Sequence, residues 1–226
     1  MTAEELSRHL ENVRHRINNA AARSGRDVSG IRIVAVTKTV GVDTVKAAFA
    51  AGIADFGENR WPDAAARVAG VPGAVWHFIG SLQKNKVRKV LAHFRWIHSV
   101  DNVELLKAIA ARAENRPMLL VEVNVSGEGT KHGVKPEELA PLLQEAAPLD
   151  TVEVRGLMTM APFVPAEQTR PVFRALRELR DDANRRSLYR EPLAELSMGM
   201  TNDFETAVEE GATMLRIGTA IFGPSD

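Results

Sequence analysis

Ile31-Arg32-Ile33-Val34-Ala35-Val36-Thr37-Lys38 is a short β-branched run that ends on a lysine. Runs of this kind make strands covered on both faces, as in parallel sheets packed between helices. An ammonium at the end of such a strand is costly unless it is paired, deprotonated or able to reach water along its own methylenes. Lys38 therefore marks either a sheet rim or a reactive centre, and the rest of the chain decides between them.

Working outward, Thr2-Ala3-Glu4-Glu5 has the spacing of a capping box, and Leu6, Leu10, Val13 and Ile17 follow at helical intervals until Ser24-Gly25. His9 and His15 fall among the polar positions of this helix and read as solvated surface. After Lys38, strand-like runs recur at 53–56, 75–79, 95–100, 118–125, 152–160, 193–198 and 213–217. Helical patterns separate them at 42–51, 61–68, 82–93, 102–113, 136–146, 166–186 and 202–210, the last with Glu205 placed to complete a capping box. Eight strands alternating with helices over 226 residues predict one domain, a (β/α)8 TIM barrel, with residues 1–25 as an extra helix packed outside it. An open doubly wound sheet is the other topology compatible with alternation, but no glycine-rich dinucleotide fingerprint follows the first strand.

The totals narrow the function. With 29 basic and 29 acidic side chains the formal charge is zero, so no global field attracts nucleic acid or an acidic membrane, and any anion must be bound locally. The basic cluster Lys84, Lys86, Arg88 and Lys89 reads as the solvated face of an amphipathic helix. Cysteine is absent, which removes disulfides, thiolate nucleophiles and cysteine-ligated metals; the histidines lack a ligand spacing, and a cytoplasmic location is expected. No apolar run approaches the length of a membrane span. His77 and His98 are expected to be packed or hydrogen-bonded within their strands.

In a barrel of this kind the C-terminal strand ends converge on one mouth. Here they read Lys38, Gly57-Glu58-Asn59, Gly80-Ser81, Ser99, Asn124, Met158-Thr159, Ser197-Met-Gly-Met-Thr201 and Arg216-Ile-Gly-Thr219. Phosphate sites in barrels are often built after strands seven and eight, where Gly218 and Thr219 supply open amides and a hydroxyl and Ser197 and Thr201 can add hydroxyls. Tight turns and helix caps would use the same residues. Arg216, placed inside by its strand, can either pair with a core carboxylate or donate to a ligand acceptor. Strands one and eight are neighbours in a closed barrel, so a lysine amine, an arginine and a phosphate cradle would face one another. Those three features are what pyridoxal 5′-phosphate (PLP) requires for covalent attachment, electronic tuning and anchoring. Desolvation and the nearby arginine are both expected to favour a neutral Lys38 amine.

At this point the chain resembles the pyridoxal phosphate homeostasis proteins, the YggS family, over almost its whole length. The matching segments are Ala35-Val-Thr-Lys-Thr39, Phe56-Gly-Glu-Asn59, Trp76-His-Phe-Ile-Gly80 with Leu82-Gln83 and Asn85-Lys86, and Val123-Asn-Val-Ser126 with Lys131 and Gly133. They continue with Gly156-Leu-Met158, Leu196-Ser-Met-Gly-Met200 with Asp203, and Arg216-Ile-Gly-Thr-Ala-Ile-Phe-Gly223. The resemblance implies a single-domain barrel similar to the N-terminal domain of bacterial alanine racemase. It implies that Lys38 carries PLP as an internal aldimine, that Asn59 lies near the cofactor, that Arg216 faces the pyridine nitrogen, and that Ser197, Gly218 and Thr219 hold the phosphate. Thr201 is a weaker carry-over, because the family often has serine there. Ser81, Arg60-Trp61 and Pro224 depart from the family's pattern and bear on rim and C-terminal contacts, leaving Lys38 untouched.

The expected function is intracellular PLP homeostasis, with PLP and the apo-forms of PLP enzymes as partners, no nucleic acid or membrane, and a monomeric chain. Three alternatives stay open. A PLP-dependent amino-acid racemase with weak activity would need a tyrosine base from a further C-terminal β domain, whereas the sole tyrosine, Tyr189, precedes strand seven and the chain stops at Asp226. An arginine at the ring nitrogen also opposes strong carbanion stabilisation. A lysine-dependent aldolase would assign the phosphate site to its substrate. An interaction protein would use the polar loop 126–133, whose Lys131 could accept cofactor transiently.

Overall fold

The computed structural model describes residues 1–127 and 132–224, so Lys131 lies outside the described residues. The strands are β1 (Arg32–Val36), β2 (Asp55–Glu58), β3 (Val75–Phe78), β4 (Trp96–Val100), β5 (Met118–Glu122), β6 (Glu153–Met158), β7 (Glu195–Ser197) and β8 (Met214–Ile217). Each pairs in parallel with its sequence neighbours, and β1 pairs with β8 to close a barrel. Among the described residues the helices are α1 (Ala3–Arg23), α2 (Val42–Ala50), α3 (Ala65–Gly70), α4 (Val87–Leu91), α5 (Val103–Ala110), α6 (Leu139–Ala146), α7 (Ala166–Arg185), α8 (Phe204–Glu209) and α9 (Thr219–Phe222). The chain is thus a single-domain (β/α)8 TIM barrel with one helix ahead of the first strand.

Strand alternation divides the core into two layers. Ala35, Phe56, Ile97, Leu119, Val121, Leu157 and Leu215 pack outward among helix residues such as Val45, Leu106 and Phe173. Val34, Trp96, Leu120, Met158 and Met214 have the opposite parity and form a separate cluster inside the barrel. His77, His98, Ser197 and Arg216 share that inward parity and are also buried, so the interior holds a polar file beside its apolar residues. Gly156 on β6 sits where a Cβ would lie 1.9 Å from the Glu195 carbonyl oxygen, so the β6–β7 approach depends on its lack of a side chain.

The Thr2–Glu5 capping box is formed, with the Thr2 hydroxyl accepting from the Glu5 N–H and the Glu5 carboxylate accepting from the Thr2 N–H. The helix it starts covers α8 and α9. Arg16 pairs in two-pronged fashion with Glu205 (3.0 and 2.7 Å) while its guanidinium lies 4.4 Å from the Phe204 ring centroid, and Arg23 pairs with Glu209. His9 is not simply solvated: its Nδ1 lies 3.1 Å from the carbonyl oxygen of Ile221 in α9. Because α9 begins at Thr219, this contact ties the first helix to the back of the barrel mouth.

Three expected helices differ. Residues 61–64 form turns ahead of α3, because Trp61 is drawn away to stack on His93 at 4.3 Å and to meet the Phe94 ring edge-on. Residues 82–93 divide into a 3-10 turn (Lys84–Lys86) and the short α4. Around α8 the expected capping box is absent. Glu205 is taken by Arg16, and Asp203 at the cap position accepts instead from the Met200 N–H at 2.6 Å.

Phe204→Ala is expected to lower the unfolding free energy by about 3–5 kcal/mol, because it empties a fully buried aromatic site beneath α1. Arg16→Ala, which removes a half-exposed ion pair, should cost only about 1 kcal/mol or less. Urea denaturation followed by circular dichroism compares the two.

Candidate functional site

A cavity of about 390 Å³ opens at the C-terminal ends of the strands. Its lining includes Lys38 and Thr39 after β1, Asn59 after β2, Met160–Val164 after β6, Met200–Asp203 after β7, and Arg216, Gly218 and Thr219 from β8 and the start of α9. Five of the six residues singled out from the sequence, Lys38, Asn59, Arg216, Gly218 and Thr219, therefore meet in one space. The sixth, Ser197, is not among the lining residues. Its hydroxyl is fully buried one layer below, accepting from Arg216 Nη1 at 2.5 Å and lying 2.9 Å from His98 Nδ1. Thr201, by contrast, lines the cavity, and its hydroxyl accepts from the Ala220 N–H at 3.3 Å, which joins the loop after β7 to α9. The reason is parity, since Ser197 still belongs to the strand and points into the barrel, whereas Thr201 follows the left-handed turn at Gly199.

Lys38 is held from behind. The preceding Thr37 is buried and donates its hydroxyl to Glu58 Oε1 at 2.5 Å, and the same carboxylate receives Arg67 Nε and Nη2 at 2.5 and 3.0 Å. Glu58 directly precedes Asn59, so one buried brace fixes the backbone entering both cavity residues. Thr37 and Glu58 carry no sign of this pairing in the sequence, and Arg67 carries no local signal. Lys38 itself is exposed at the mouth, so the expected desolvation of its amine is not met by the protein alone. The exposed apolar lip on the far side was also not foreseen: Phe163 is 91% exposed.

Arg216 is only 4% exposed, and among the described residues it makes no salt bridge. It donates Nη1 to Ser197 and Nη2 to the Thr159 carbonyl oxygen at 2.8 Å. Burial lowers its pKa to about 10, opposed by the more distant carboxylates of Glu122 and Asp203. Burial pushes both of those carboxyls upward, against the pull of Arg216 on each and of the Met200 N–H on Asp203. Below Arg216, His98 Nε2 lies 2.9 Å from His77 Nδ1, and His77 Nε2 lies 2.9 Å from Asp55 Oδ1. Burial holds both rings below the ordinary imidazole range. For His77 the Asp55 carboxylate opposes this, and for His98 the fields of His77 and Arg216 reinforce it.

Two observations test whether a ligand with an anionic tail and a polar ring fits. Asn59 Oδ1 is buried and has no hydrogen-bond partner among the described residues, an unmade bond that a ligand donor would satisfy. Among the described residues an added Cβ at Gly218 would touch only Val36, at 3.5 and 3.6 Å, so none of them sterically requires glycine there and the missing side chain leaves room on the cavity side. The four residues that depart from the family pattern do not line the cavity: Trp61 packs on His93, and Arg60, Ser81 and Pro224 are exposed. Tyr189 is also remote. It is buried, and its hydroxyl accepts from the Val154 N–H at 3.1 Å.

Fold and site together define an alanine racemase-like barrel, and the family model for the alanine racemase N-terminal domain matches residues 9–226. The chain belongs to the pyridoxal phosphate homeostasis proteins. It is 42% identical to the pyridoxal phosphate homeostasis protein of Aquifex aeolicus (strain VF5), with 97% of this chain and 96% of that one aligned. It is also similar to PipY of Synechococcus elongatus PCC7942, solved with PLP bound, at 34% identity and a TM-score of 0.83, covering 96% of this chain and all of that one. Alanine racemase of Clostridium difficile 630 shares the fold at 15% identity and a TM-score of 0.77, with 98% of this chain matching 60% of that one.

The two buried rings give a pH prediction. The fold keeps them neutral, while in the unfolded chain each takes up a proton below its ordinary value of 6.5. The stability this represents is complete above that value and is lost as the pH falls through the lower folded values, with a slope of up to about 1.4 kcal/mol per pH unit for each ring. Imidazole NMR titration should show neither His77 nor His98 half-protonated at pH 6.5, and denaturant midpoints should fall on acidification from there.

Proposed function

We propose that this chain binds PLP in the cavity at the barrel mouth and serves PLP homeostasis, holding the cofactor instead of turning over a substrate. The observation that carries this reading is the convergence of Lys38, Arg216 and the Gly218-Thr219 turn on one space of about 390 Å³, a volume suited to a small cofactor. The names of its relatives and the PLP bound by PipY support it. When bound, PLP supplies an aldehyde open to capture by an amine, an aromatic ring with a basic nitrogen, and an anionic phosphate.

The chain's residues divide that work. Lys38 presents the amine, on a backbone pinned by the Thr37–Glu58–Arg67 brace. Thr201 and Thr219 offer hydroxyls, and Gly218 leaves room for a close approach to the start of α9, where backbone N–H groups favour an anion. Ser197 serves this site indirectly, by accepting a hydrogen bond from Arg216. Arg216 remains a donor, so a ring nitrogen beside it is kept as an acceptor and carbanion chemistry is disfavoured. Asn59 Oδ1 accepts a ligand hydrogen bond. The apolar lip at Phe163 offers a surface to the apo-enzymes that would exchange cofactor with a monomeric carrier in the cytoplasm. Racemisation is the weaker reading, because the only tyrosine in the sequence is buried away from the cavity and already hydrogen-bonded.

Adding PLP to the wild-type protein should produce the visible absorption band of a lysine-linked cofactor, and borohydride reduction should fix the added mass on Lys38. Lys38→Ala should show neither; the same band in the variant would overturn the assignment, and no band in either protein would favour the aldolase reading. Thr201→Val and Thr219→Val should each weaken PLP binding by about tenfold, while leaving binding of phosphate-free pyridoxal nearly unchanged. Equilibrium titration of that band measures both.

A further inference from the structure

The polar file inside the barrel is continuous. Asp55 Oδ1, His77 Nε2 and Nδ1, His98 Nε2 and Nδ1, Ser197 Oγ and Arg216 Nη1 follow one another at 2.9, 2.9, 2.9 and 2.5 Å. His77, His98, Ser197 and Arg216 are all buried, and Asp55, the first residue of β2, lies at the opposite end of the barrel from the cavity, where it also faces Arg32 at 3.7 Å.

Hydrogen-bond roles along this file are determined by its two ends. A carboxylate only accepts and a guanidinium only donates. Asp55 therefore takes the Nε2 proton of His77, leaving Nδ1 bare to accept from His98 Nε2. That leaves His98 Nδ1 bare to accept the Ser197 hydroxyl proton, and both Ser197 lone pairs are then free for Arg216. Every donor points from the cavity toward Asp55. The opposite arrangement would leave a bare His77 Nε2 facing the Asp55 carboxylate, two acceptors with no proton between them in a dry interior. Stacking of the His77 ring on Trp96, at 5.5 Å and 2° between planes, and the grip of Arg32 on Asp55 keep the lower end in register.

We propose that Asp55 is a positioning residue for Arg216, acting across the barrel through His77, His98 and Ser197. It orders the tautomers so that the Ser197 oxygen is a pure acceptor toward the guanidinium, which turns the remaining N–H groups of Arg216 toward the cavity. This rests on the PLP reading only for its consequence, the orientation of a donor at the ring nitrogen; the ordered tautomers belong to the protein without cofactor.

The test is long-range proton–nitrogen NMR of the histidine rings in the cofactor-free full chain, for wild type, Asp55→Leu and Asp55→Asn. In wild type both His77 and His98 should carry the proton on Nε2, with Nδ1 bare. Asp55→Leu should shift His98 toward a mixture of tautomers and broaden the Arg216 side-chain resonances. Asp55→Asn, which keeps an acceptor oxygen at that place, should restore the wild-type pattern. With PLP added, Asp55→Leu should weaken binding by about fivefold and move the visible band, and Asp55→Asn should reverse both. A wild-type His98 protonated on Nδ1 overturns the proposal without any variant, as does an Asp55→Leu protein whose His98 and Arg216 signals are unchanged. If the relay signals behave as expected while no PLP band forms in wild type, the cofactor reading fails and the positioning role stands.

Discussion

A guanidinium inside a barrel is the constraint on which the site depends. Arg216 cannot shed its charge near neutral pH, and among the described residues it has no carboxylate at contact distance. It is tolerated because neutral acceptors, the Ser197 hydroxyl and the Thr159 carbonyl, meet it directly, while Glu122 and Asp203 contribute field from further away. A close ion pair would have neutralised the arginine and used up its donors. Neutral acceptors leave it charged, oriented and available to the cavity it lines.

The same logic of support from behind applies at the lysine. Lys38 is exposed, and its placement comes from the brace beneath it, in which Glu58 receives Thr37 and Arg67 together. That brace lies on the outward face of β2, between strand and α3, whereas the Arg216 file lies inside the barrel. The two cavity side chains are thus supported by networks on opposite faces of the sheet, and strand pairing between β1 and β8 joins them. The first helix adds a third support. Its contacts with α8 and with the Ile221 carbonyl hold the segment that begins at Thr219.

Burying the histidines neutral follows from this design. A cationic His98 would donate from both nitrogens and bring a second charge toward Arg216 in a medium that screens poorly. Keeping the rings neutral makes them directional hydrogen-bond conduits instead of charges, which is how a carboxylate at one end of the barrel can influence a cation near the other.

Much was legible in the sequence by itself. The alternation of β-branched runs with amphipathic segments determined the barrel, and the chemistry gathered at strand ends determined that Lys38, Asn59, Arg216, Gly218 and Thr219 would share a mouth, because topology alone brings those ends together. Only the tertiary structure decided what each polar side chain touches. Ser197 and Thr201 are similar hydroxyls four residues apart, yet one is inside the strand and committed to Arg216, while the other lies past the Gly199 turn and faces the cavity. Glu205 looked like a helix cap and became the partner of Arg16, and His9 looked solvated and became a contact of α9, since partners 189 and 212 residues away leave no trace in local periodicity. Local pattern reports the face a residue lies on. Which distant group completes its hydrogen bonds depends on how the whole barrel closes.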